Sequence, residues 1–448
     1  MSKLRDCVYI LDSKRVPLSS NERANLSKIY PYYGAQGIVD YVDDYLFDGN
    51  YILVAEDGNN LKALTEPITT WVSGKFWVNN HAHILGEKEG YCLKYIYYLL
   101  TSMDLRGYIT GSAQPKFNQE NLANVDIDLP DEPTQKATAA VLSVLDQKIQ
   151  NNNNICSHLE AMSQTLYDYW FTQFDFPDAK GHPYRFSGGE MEWNTQLKRH
   201  IPKGWGVGTI DDLMKIDNVS VNPKKLGDTI MEHYSIPAFD ENHSPVYESA
   251  KTIESGKYSV TPECILTSKL NPHFKRLWDP YCDTANSICS TEFIVYRPRE
   301  LWTRPFCYAV LDSEAFYVHM VENAIASTGS RKRIQPDVSA SFLLPIPDEK
   351  TMRAFVEIYA PIMDKQKSLR KENRELKELR DWLLPMLMNG QVTVADPMPN
   401  AHILEFNNQK HEQYDVRQAA RSFGEDSTDD TADLVKEFIK RRKNDSKS

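Results

Sequence analysis

The chain lacks any long hydrophobic run. Its 448 residues are 41% apolar and 11% aromatic, which suffices for buried cores, but no segment approaches the ~18 consecutive apolar residues that a membrane-spanning helix needs. The opening residues Met1–Asp6 are charged and do not lead into the hydrophobic stretch of a secretory signal. We therefore expect a cytoplasmic protein with no membrane partner and with two to four domains of roughly 100–200 residues each.

Paired cysteines are lacking as well. The seven cysteines are odd in number, are scattered between Cys7 and Cys307, and include no C-x-x-C pair and no histidine at zinc-finger spacing. This pattern excludes a disulfide framework and a zinc finger. We predict reduced thiols, most of them buried, and no metal site.

Catalytic motifs are scarce. There is no phosphate-binding Gly-Lys-Ser/Thr loop, no nucleophile elbow and no His-Glu-x-x-His helix. Asn271–Phe274 resembles the N-P-P-[FY] loop of amino-methyltransferases, and Gly206–Gly208 resembles part of a cofactor-binding turn. The glycines follow Pro202–Trp205 rather than a strand, and the order of elements does not fit a dinucleotide-binding unit. We predict no catalytic residues and no cofactor in this chain.

Positive charge is in deficit, since the formal net charge is −11. A cationic surface over the whole molecule is thereby excluded. Any contact with nucleic acid must come from short cationic patches or from partner proteins.

What the chain does contain is an internal repeat. Thr110–Ser112 returns as Thr328–Ser330, and Pro130–Glu132 returns as Pro347–Glu349, about 217 positions later. Both copies lead into a long apolar-periodic segment, whereas the sequences that precede them differ. Such a repeat predicts one shared frame that carries two different heads.

The predicted fold class is α+β, with two mixed α/β domains, a long antiparallel two-helix coiled coil between them, and a pseudo-twofold internal repeat. Short apolar runs predict strands at 51–55, 76–78 and 83–85 and a helix at 91–103. The predicted segments are a first mixed domain at 1–130, a first long helix at 131–172, a connecting segment at 173–206, a second mixed domain at 207–346, a second long helix at 347–392 and an acidic, flexible tail at 393–448.

Both long helices carry apolar residues at heptad spacing, which predicts that they pair with each other. An antiparallel pair puts one domain at each end; the alternative, in which each helix packs flat on its own domain, stays open. Pro385 is expected to kink or end the second helix near Leu384. The predicted pairing residues are Leu145, Lys148, Asn152, Ile155, Leu159, Met162 and Leu166 in the first helix, and Ile362, Lys365, Leu369, Leu376, Leu379 and Leu383 in the second.

Candidate binding residues lie in the repeated turns and near the ends of predicted strands. Arg331, Lys332 and Arg333 follow a Thr-Gly turn, and Lys116 occupies the corresponding place in the first copy. Cations on such turns contact phosphates, whereas amides and forked donors read base edges; for any single residue, a solvated surface role is the alternative. The candidates for DNA binding are Asn79, Asn80, His81, His83, Gln114, Lys116, Lys269, Asn271, His273, Lys275, Arg276, Ser330, Arg331, Lys332 and Arg333.

These segments together resemble the DNA-specificity subunits of type I restriction-modification enzymes. The resemblance covers residues 1 to about 395. It implies two target-recognition domains, each reading one half of a bipartite DNA site, held apart by the conserved helices. The first domain lacks the Pro-x-Gly-Trp opening of the second, and the tail after about Val394 has no counterpart. The segments that carry the resemblance are Phe47–Gly58, the Thr-Gly-Ser turns, the Leu-Pro and Ile-Pro entries to both helices, Tyr167–Phe171, Ile201–Trp205 and Leu387–Gly390.

The resemblance also implies partners. Double-stranded DNA and two methyltransferase subunits are expected, with restriction subunits, which supply motor and nuclease, joining that core. S-adenosylmethionine is expected in the methyltransferase subunits, which methylate adenine, and the present chain is expected to be catalytically silent. Helices of about 35 residues span roughly 50 Å at ~1.5 Å per residue, enough to hold two different half-sites more than one DNA turn apart.

Two other functions fit parts of the sequence. A coiled-coil interaction scaffold would bind protein or glycan with its two heads, and its binding would lack the steep salt dependence of phosphate contacts. A fused methyltransferase would transfer a methyl group from S-adenosylmethionine without a partner subunit.

Overall fold

The computed structural model describes residues 2–58, 61, 68–111, 115–328 and 331–394. The predicted tail at 393–448 lies outside the described residues except for its first two positions, and Gln114 and Ser330 lie outside them too. Residues 2–130 form the first head and residues 207–346 the second head. The chain is a mixed α/β protein, as predicted.

The first head is built on a six-stranded sheet. The strands of this head, two of which lie outside that sheet, are β1 Ser2–Lys3, β2 Val8–Ile10, β3 Tyr30–Gly34, β4 Gly37–Val42, β5 Phe47–Ala55, β6 Thr69–Val78, β7 Ala82–Glu87 and β8 Asp126–Ile127. The helices of this head are Leu4–Cys7, Ser20–Ala24, Leu93–Ser102 and Gln119–Ala123. The sheet order is β2-β7-β5-β6-β3-β4, and β1 pairs with β8. The apolar run at the end of β5 is buried because β6 and β7 flank it and the helix Leu93–Ser102 packs against the sheet. All three predicted strands lie within these elements, and the helix predicted at 91–103 is observed at Leu93–Ser102.

The first long helix spans Glu132–Tyr167 and continues as a π-helical turn at Asp168–Thr172. Asp131 caps it, since its side chain accepts a hydrogen bond from the Thr134 N–H at 3.1 Å. A connecting segment follows, with the hairpin of β9 Met191–Asn194 and β10 Arg199–Pro202.

The second head contains two larger sheets. Its strands are β11 Gly206–Thr209, β12 Met214–Ile216, β13 Ser220–Val221, β14 Ile230–Tyr234, β15 Val246–Ser249, β16 Lys257–Ser259, β17 Ile265–Ser268, β18 Leu277–Trp278, β19 Ser287–Ser290, β20 Phe293–Pro298, β21 Ile325–Thr328, β22 Arg331–Arg333 and β23 Leu343–Ile346. Its helices are Ile210–Leu213, Ile236–Asn242, Arg304–Asp312, Glu314–Glu322 and Pro336–Ala340. One sheet has the order β12-β20-β17-β18 and the other has the order β13-β16-β19-β14-β15.

The two heads share a common topology. The order β12-β20-β17-β18 in the second head matches β2-β7-β5-β6 in the first. The pairing of β11 with β23 matches that of β1 with β8, and a four-residue helix follows β1 and β11 alike. The first head therefore has its opening strand although it lacks the Pro-x-Gly-Trp sequence. In the five-stranded sheet, the antiparallel hairpin of β14 and β15 pairs in parallel with β19, and in the first head the hairpin of β3 and β4 pairs in parallel with the end of β6.

The two long helices run antiparallel and contact each other along their length. The second long helix spans Glu349–Met388 and is capped by Asp348, whose side chain accepts from the Thr351 N–H at 2.9 Å. Residues with higher numbers in the second long helix contact residues with lower numbers in the first. The contacts join Glu160 to Arg370, Asn152 to Asn373, and Asp146 to Arg380.

Each end of this helix pair enters the core of a different head. The start of the first long helix and the end of the second, through Leu142, Leu145, Leu383 and Leu387, pack in the core of the first head. The opposite ends contribute Trp170, Phe171, Met352 and Phe355 to the core of the second head. The cores of the two heads consequently include opposite ends of the pair, and the second head also contacts the middle of the second long helix through Lys371 and Lys377.

The buried seam between the helices differs in part from the predicted one. Positions 145, 152, 159, 362, 369 and 383 are buried as predicted, and positions 166 and 376 are half-buried. In the second row of the predicted seam, the prediction is wrong by one residue. Met162 is 37% exposed there and Lys365 is exposed. Ile155 and Leu379 are half-buried, and Lys148 borders the seam in an ion pair with Glu372 at 3.2 Å. The side chains buried instead are Ile149, Cys156, Ser163, Tyr359, Gln366 and Asn373.

The seam is polar because small and amide side chains occupy these positions. Asn152 is fully buried, and its Nδ2 donates to Asn373 at 2.9 Å and to Glu372 at 2.8 Å. The second long helix does not end at Pro385, as one of the two expected outcomes had it, because it continues to Met388. A proline near a helix end costs little when the carbonyl that it leaves without a partner is close to solvent.

Two other predictions concern the whole described chain. All seven cysteines are free thiols and five of them are buried, which confirms the predicted cysteine state. Among the described residues, no helix combines the length and the apolar character that crossing a bilayer requires.

Candidate nucleic-acid interface

The second head brings two candidate segments together beyond the end of β17 in its four-stranded sheet. The loop 269–276 follows β17, and a bridge between Leu270 and Arg333 joins it to the hairpin of β21 and β22. Asn271 fastens the two: its N–H donates to the Lys332 carbonyl at 2.8 Å, and its Oδ1 accepts from the Lys332 N–H at 2.9 Å. The φ of Asn271 is 46°, a left-handed conformation that asparagine tolerates well. The segments 269–276 and 325–333 form the cationic loop pair.

Six cations and no carboxylate lie within the cationic loop pair. Three of the cations are held by carboxylates from elsewhere in the head. These pairs are Lys275 with Asp312 at 2.7 Å, Arg276 with Asp240 at 2.6 Å, and Arg333 with Glu292 at 2.8 Å. The two segments themselves thus carry positive charge only, on a chain of net charge −11. Local positive charge of this kind is what binding to a polyanion requires.

Glu292 positions the hairpin. Its carboxylate accepts from Nε of Arg333 at 3.0 Å and from Nη2 at 2.8 Å, the forked geometry that fixes a guanidinium in orientation. These hydrogen bonds lower the pKa of Glu292 and raise the pKa of Arg333. Strand β22 is therefore tied to the sheet by side chains as well as by its backbone.

In the first head, Thr110 and Lys116, which pair in an isolated antiparallel bridge, occupy the place of that hairpin. The Phe117 N–H donates to the Glu56 carbonyl, and the Glu56 N–H donates to the His81 carbonyl, both at 2.9 Å. Two hydrogen bonds of the same pattern join Ile334 to Lys269 at 3.1 Å and Lys269 to Glu292 at 2.9 Å. The equivalent positions are thus Glu56 and Lys269, His81 and Glu292, and Lys116 and Arg333.

The first head presents different chemistry at these positions. Arg15 donates to Glu56 at 3.0 Å and to the carbonyl of Ala82 at 3.0 Å. The His81 Nδ1 lies 2.8 Å from a carboxylate oxygen of Asp57, and Lys116 is exposed. The carboxylates of Glu56 and Asp57 lie among these groups, whereas the two segments of the cationic loop pair contain no carboxylate. Arg15 and Glu292 are positioning residues that the sequence did not single out, because only long-range strand pairing brings them to the site.

The remaining first-head candidates divide into exposed and structural residues. Asn80 is exposed, whereas Asn79 is half-buried and its Oδ1 accepts from the His81 N–H at 2.8 Å. The interpretation of His83 as a DNA contact is wrong, since His83 is 1% exposed. Its Nδ1 lies 2.5 Å from Asp12 Oδ2 and its Nε2 lies 2.6 Å from the Phe117 carbonyl. Both ring nitrogens are thereby used inside the core.

The second-head candidates are brought together. His273, Lys275, Arg331 and Lys332 are exposed, whereas Lys269, Asn271, Arg276 and Arg333 are half-buried. Gly206–Gly208, the possible cofactor turn, lies in β11 and pairs with β23, so its backbone is not open to a phosphate. Within the described ranges, no three His, Cys, Asp or Glu side chains converge as metal ligands.

Comparison with known proteins shows which family this sequence is similar to. The sequence model of one family, described as the type I restriction modification DNA specificity domain, matches residues 1–161. A type I restriction enzyme specificity subunit from Haemophilus influenzae is 33% identical over 142 residues, which cover 32% of this chain and 36% of that protein. A type I restriction enzyme specificity subunit from Methanocaldococcus jannaschii is 21% identical over 343 residues, or 69% of this chain and 71% of that protein.

A solved structure shares the fold. The crystal structure of the S subunit of a type I restriction-modification system from M. genitalium superposes with a TM-score of 0.57 at 15% sequence identity, covering 86% of this chain and 95% of that one. The chain thus spans about a third of the H. influenzae relative, most of the M. jannaschii relative and nearly all of the M. genitalium chain. At 15% identity, the last likeness concerns the fold.

Proposed function

We propose that this chain, which belongs to the family of type I restriction-modification DNA-specificity subunits, recognises a bipartite, asymmetric site on double-stranded DNA. Each head would act as a target-recognition domain that reads one half-site. The two long helices would act as the antiparallel coiled-coil spacer between them. Two methyltransferase subunits, with restriction subunits in addition, would be recruited to this frame.

One observation carries the proposal. The cores of two heads of common topology include opposite ends of one helix pair, and the equivalent surface positions of the heads carry different residues. Because the two heads share one topology, both surfaces can contact a long DNA duplex in the same way. The residue differences let each surface select a different base sequence. Since the second head offers Lys269 where the first offers Glu56, the two half-sites are expected to differ.

The helix pair would set the distance between the half-sites. The 36 residues of the first long helix correspond to about 54 Å at ~1.5 Å per residue. DNA advances ~3.4 Å per base pair along one strand, so centres more than about ten base pairs apart fall within reach.

The chain itself would be catalytically silent and free of cofactor. S-adenosylmethionine would be held by the methyltransferase subunits, which would modify adenine. The free state of all seven thiols supports a reducing compartment, so we place the protein in the cytoplasm.

Selection from a random duplex library tests the proposal. The chain is purified with its methyltransferase subunits, bound duplexes are sequenced, and binding to a selected duplex is followed as the salt concentration rises. We expect two unlike half-sites at a fixed spacing and an affinity that falls steeply with salt. Enrichment of no sequence, or binding of protein or glycan without salt dependence, would reject DNA recognition and favour an interaction scaffold.

A further inference from the structure

The cationic loop pair carries an exposed aromatic side chain at its tip. Phe274 is 55% exposed, although phenylalanine is ordinarily among the most buried residue types. It lies two residues before Arg276, whose guanidinium carbon stands 5.1 Å from the centre of the Phe274 ring. An exposed ring within a cationic segment is a feature of surfaces that meet bases as well as phosphates.

The loop that presents Phe274 is held in place from both sides. The Phe274 N–H donates to the Asn271 carbonyl at 2.9 Å and closes a tight turn. Asn271 is fastened to Lys332, as described above, and on the other side Arg276 makes a forked pair with Asp240 at 2.6 and 2.7 Å. A ring on so constrained a loop loses little conformational freedom on binding, which favours its use as an anchor.

The surroundings of Phe274 indicate what the ring meets. The positive charge of the cationic loop pair is matched by a polyanion rather than by an ordinary protein surface. Apolar side chains that stand among phosphate-binding cations commonly wedge between base pairs and unstack them. A second exposed apolar side chain, Ile325, starts the adjoining strand β21 and is 70% exposed.

We infer that Phe274 is a specificity-determining wedge, which enters the duplex at one base step of the half-site read by the second head. This inference rests on the proposed function and adds to it a residue and a mode of contact. The cations of the loop pair hold the backbone phosphates while the Phe274 ring replaces a base as stacking neighbour. Sequence preference at that step then follows from how readily the step unstacks.

The test uses the complex with methyltransferase subunits and the duplex obtained by selection. Adenines of the second-head half-site are replaced one at a time by 2-aminopurine, whose fluorescence rises when it loses its stacking neighbours. The adenine that is methylated is left out, because a methyltransferase unstacks its target base whatever stands at position 274. At the other adenines we expect a rise at one position with the native chain and with Phe274→Tyr, and none with Phe274→Ala. Phe274→Ala should also bind about tenfold more weakly, with an unchanged salt slope because no charge is removed.

Trp193→Ala is the matched control, because Trp193 is a comparably exposed aromatic residue of the connecting segment, 57% exposed. This variant should bind the duplex as tightly as the native chain does, and the 2-aminopurine fluorescence of its complex should be the same. If selection returns a bipartite site but the native chain gives no rise at any adenine other than the methylated one, or if Phe274→Ala binds unchanged, the wedge is refuted and DNA recognition stands. Loss of methyltransferase subunits from Phe274→Ala on gel filtration would make Phe274 a protein contact instead. If selection returns no site at all, the wedge falls with the proposed function.

Discussion

At the scale of single residues, the two first-head histidines near the start of β7 have opposite roles. His83 is buried between Asp12 and the carbonyl of Phe117, the residue that follows Lys116. His81 is half exposed beside Asp57. The sequence places both in one short stretch of alternating residues, and no local pattern tells which of the two the sheet will cover.

Replacing His83 should therefore weaken folding, and replacing His81 should not. We expect His83→Ala to lower the free energy of unfolding by about 1–3 kcal/mol, because the buried carboxylate of Asp12 loses a partner. His81→Ala, the control two positions away, should stay within about 0.5 kcal/mol of the native chain. Urea denaturation followed by circular dichroism measures both. Equal effects of the two replacements would show that the contacts of His83 with Asp12 and Phe117 do not stabilise the first head.

The Glu292–Arg333 pair predicts a pH effect. Its hydrogen bonds lower the pKa of Glu292 in the folded state below the ordinary 4.5. The pair therefore adds stability above about pH 4.5 that is lost as the pH falls through the lowered pKa. Melting temperatures compared between about pH 6 and about pH 3 should show a gap between the native chain and Glu292→Gln that narrows with acid. A constant gap would mean that ionisation of Glu292 contributes nothing.

At the scale of elements, the helix seam shows why heptads of apolar residues are an incomplete guide. Positions 145, 152 and 159 were predictable from the sequence, because leucines dominate that row. The alternate row was displaced by one residue, since Ser163, Gln366 and Asn373 are buried there and Met162 is not. Which polar side chains can be buried depends on the facing helix, and a single helix sequence does not contain that information.

A pair of alanine variants checks the observed seam. Leu159→Ala removes a buried side chain and should cost about 2–5 kcal/mol of unfolding free energy. Met162→Ala, three residues on, removes a side chain that is 37% exposed and should cost less than about 1 kcal/mol. Chemical denaturation of both variants gives the comparison. A greater loss for Met162→Ala would restore the seam first predicted from the sequence.

The hairpin of β21 and β22 is predicted to carry much of the phosphate affinity. Arg331→Ala with Lys332→Ala should weaken binding to every sequence and reduce the slope of log affinity against log salt by up to about two. Lys116→Ala is the control in the first head and should change the slope by about one at most, because it removes a single charge. Salt titrations of the three complexes measure this. A changed preference at one half-site with an unchanged slope would make the hairpin a base reader.

At the scale of the whole molecule, the repeat was the most reliable signal in the sequence. It predicted one frame with two heads, because the turns and helix entries of the two copies match while the sequences before them differ. The equivalence of Glu56 with Lys269 was beyond its reach, since the offset of 217 between the later segments does not hold between β1 and β11. Only the backbone hydrogen bonds reveal that pairing.

The helix pair as a spacer yields the last prediction. One heptad inserted after Asn151 in the first long helix, and one after Arg374 in the second, lengthens facing parts of the pair. The insertions keep the seam in phase and leave both head cores intact. Each heptad adds about 10 Å, so the selected half-sites should move apart by up to about three base pairs.

A four-residue insertion at the same two points is the control. It adds length but rotates the seam by roughly 40°, so this variant should unfold at a lower temperature than the heptad variant. Library selection with the heptad variant gives the spacing directly. Half-site sequences should stay as they were, because neither head is altered. An unchanged spacing in a folded heptad variant would mean that something other than the helix pair fixes the distance between the half-sites.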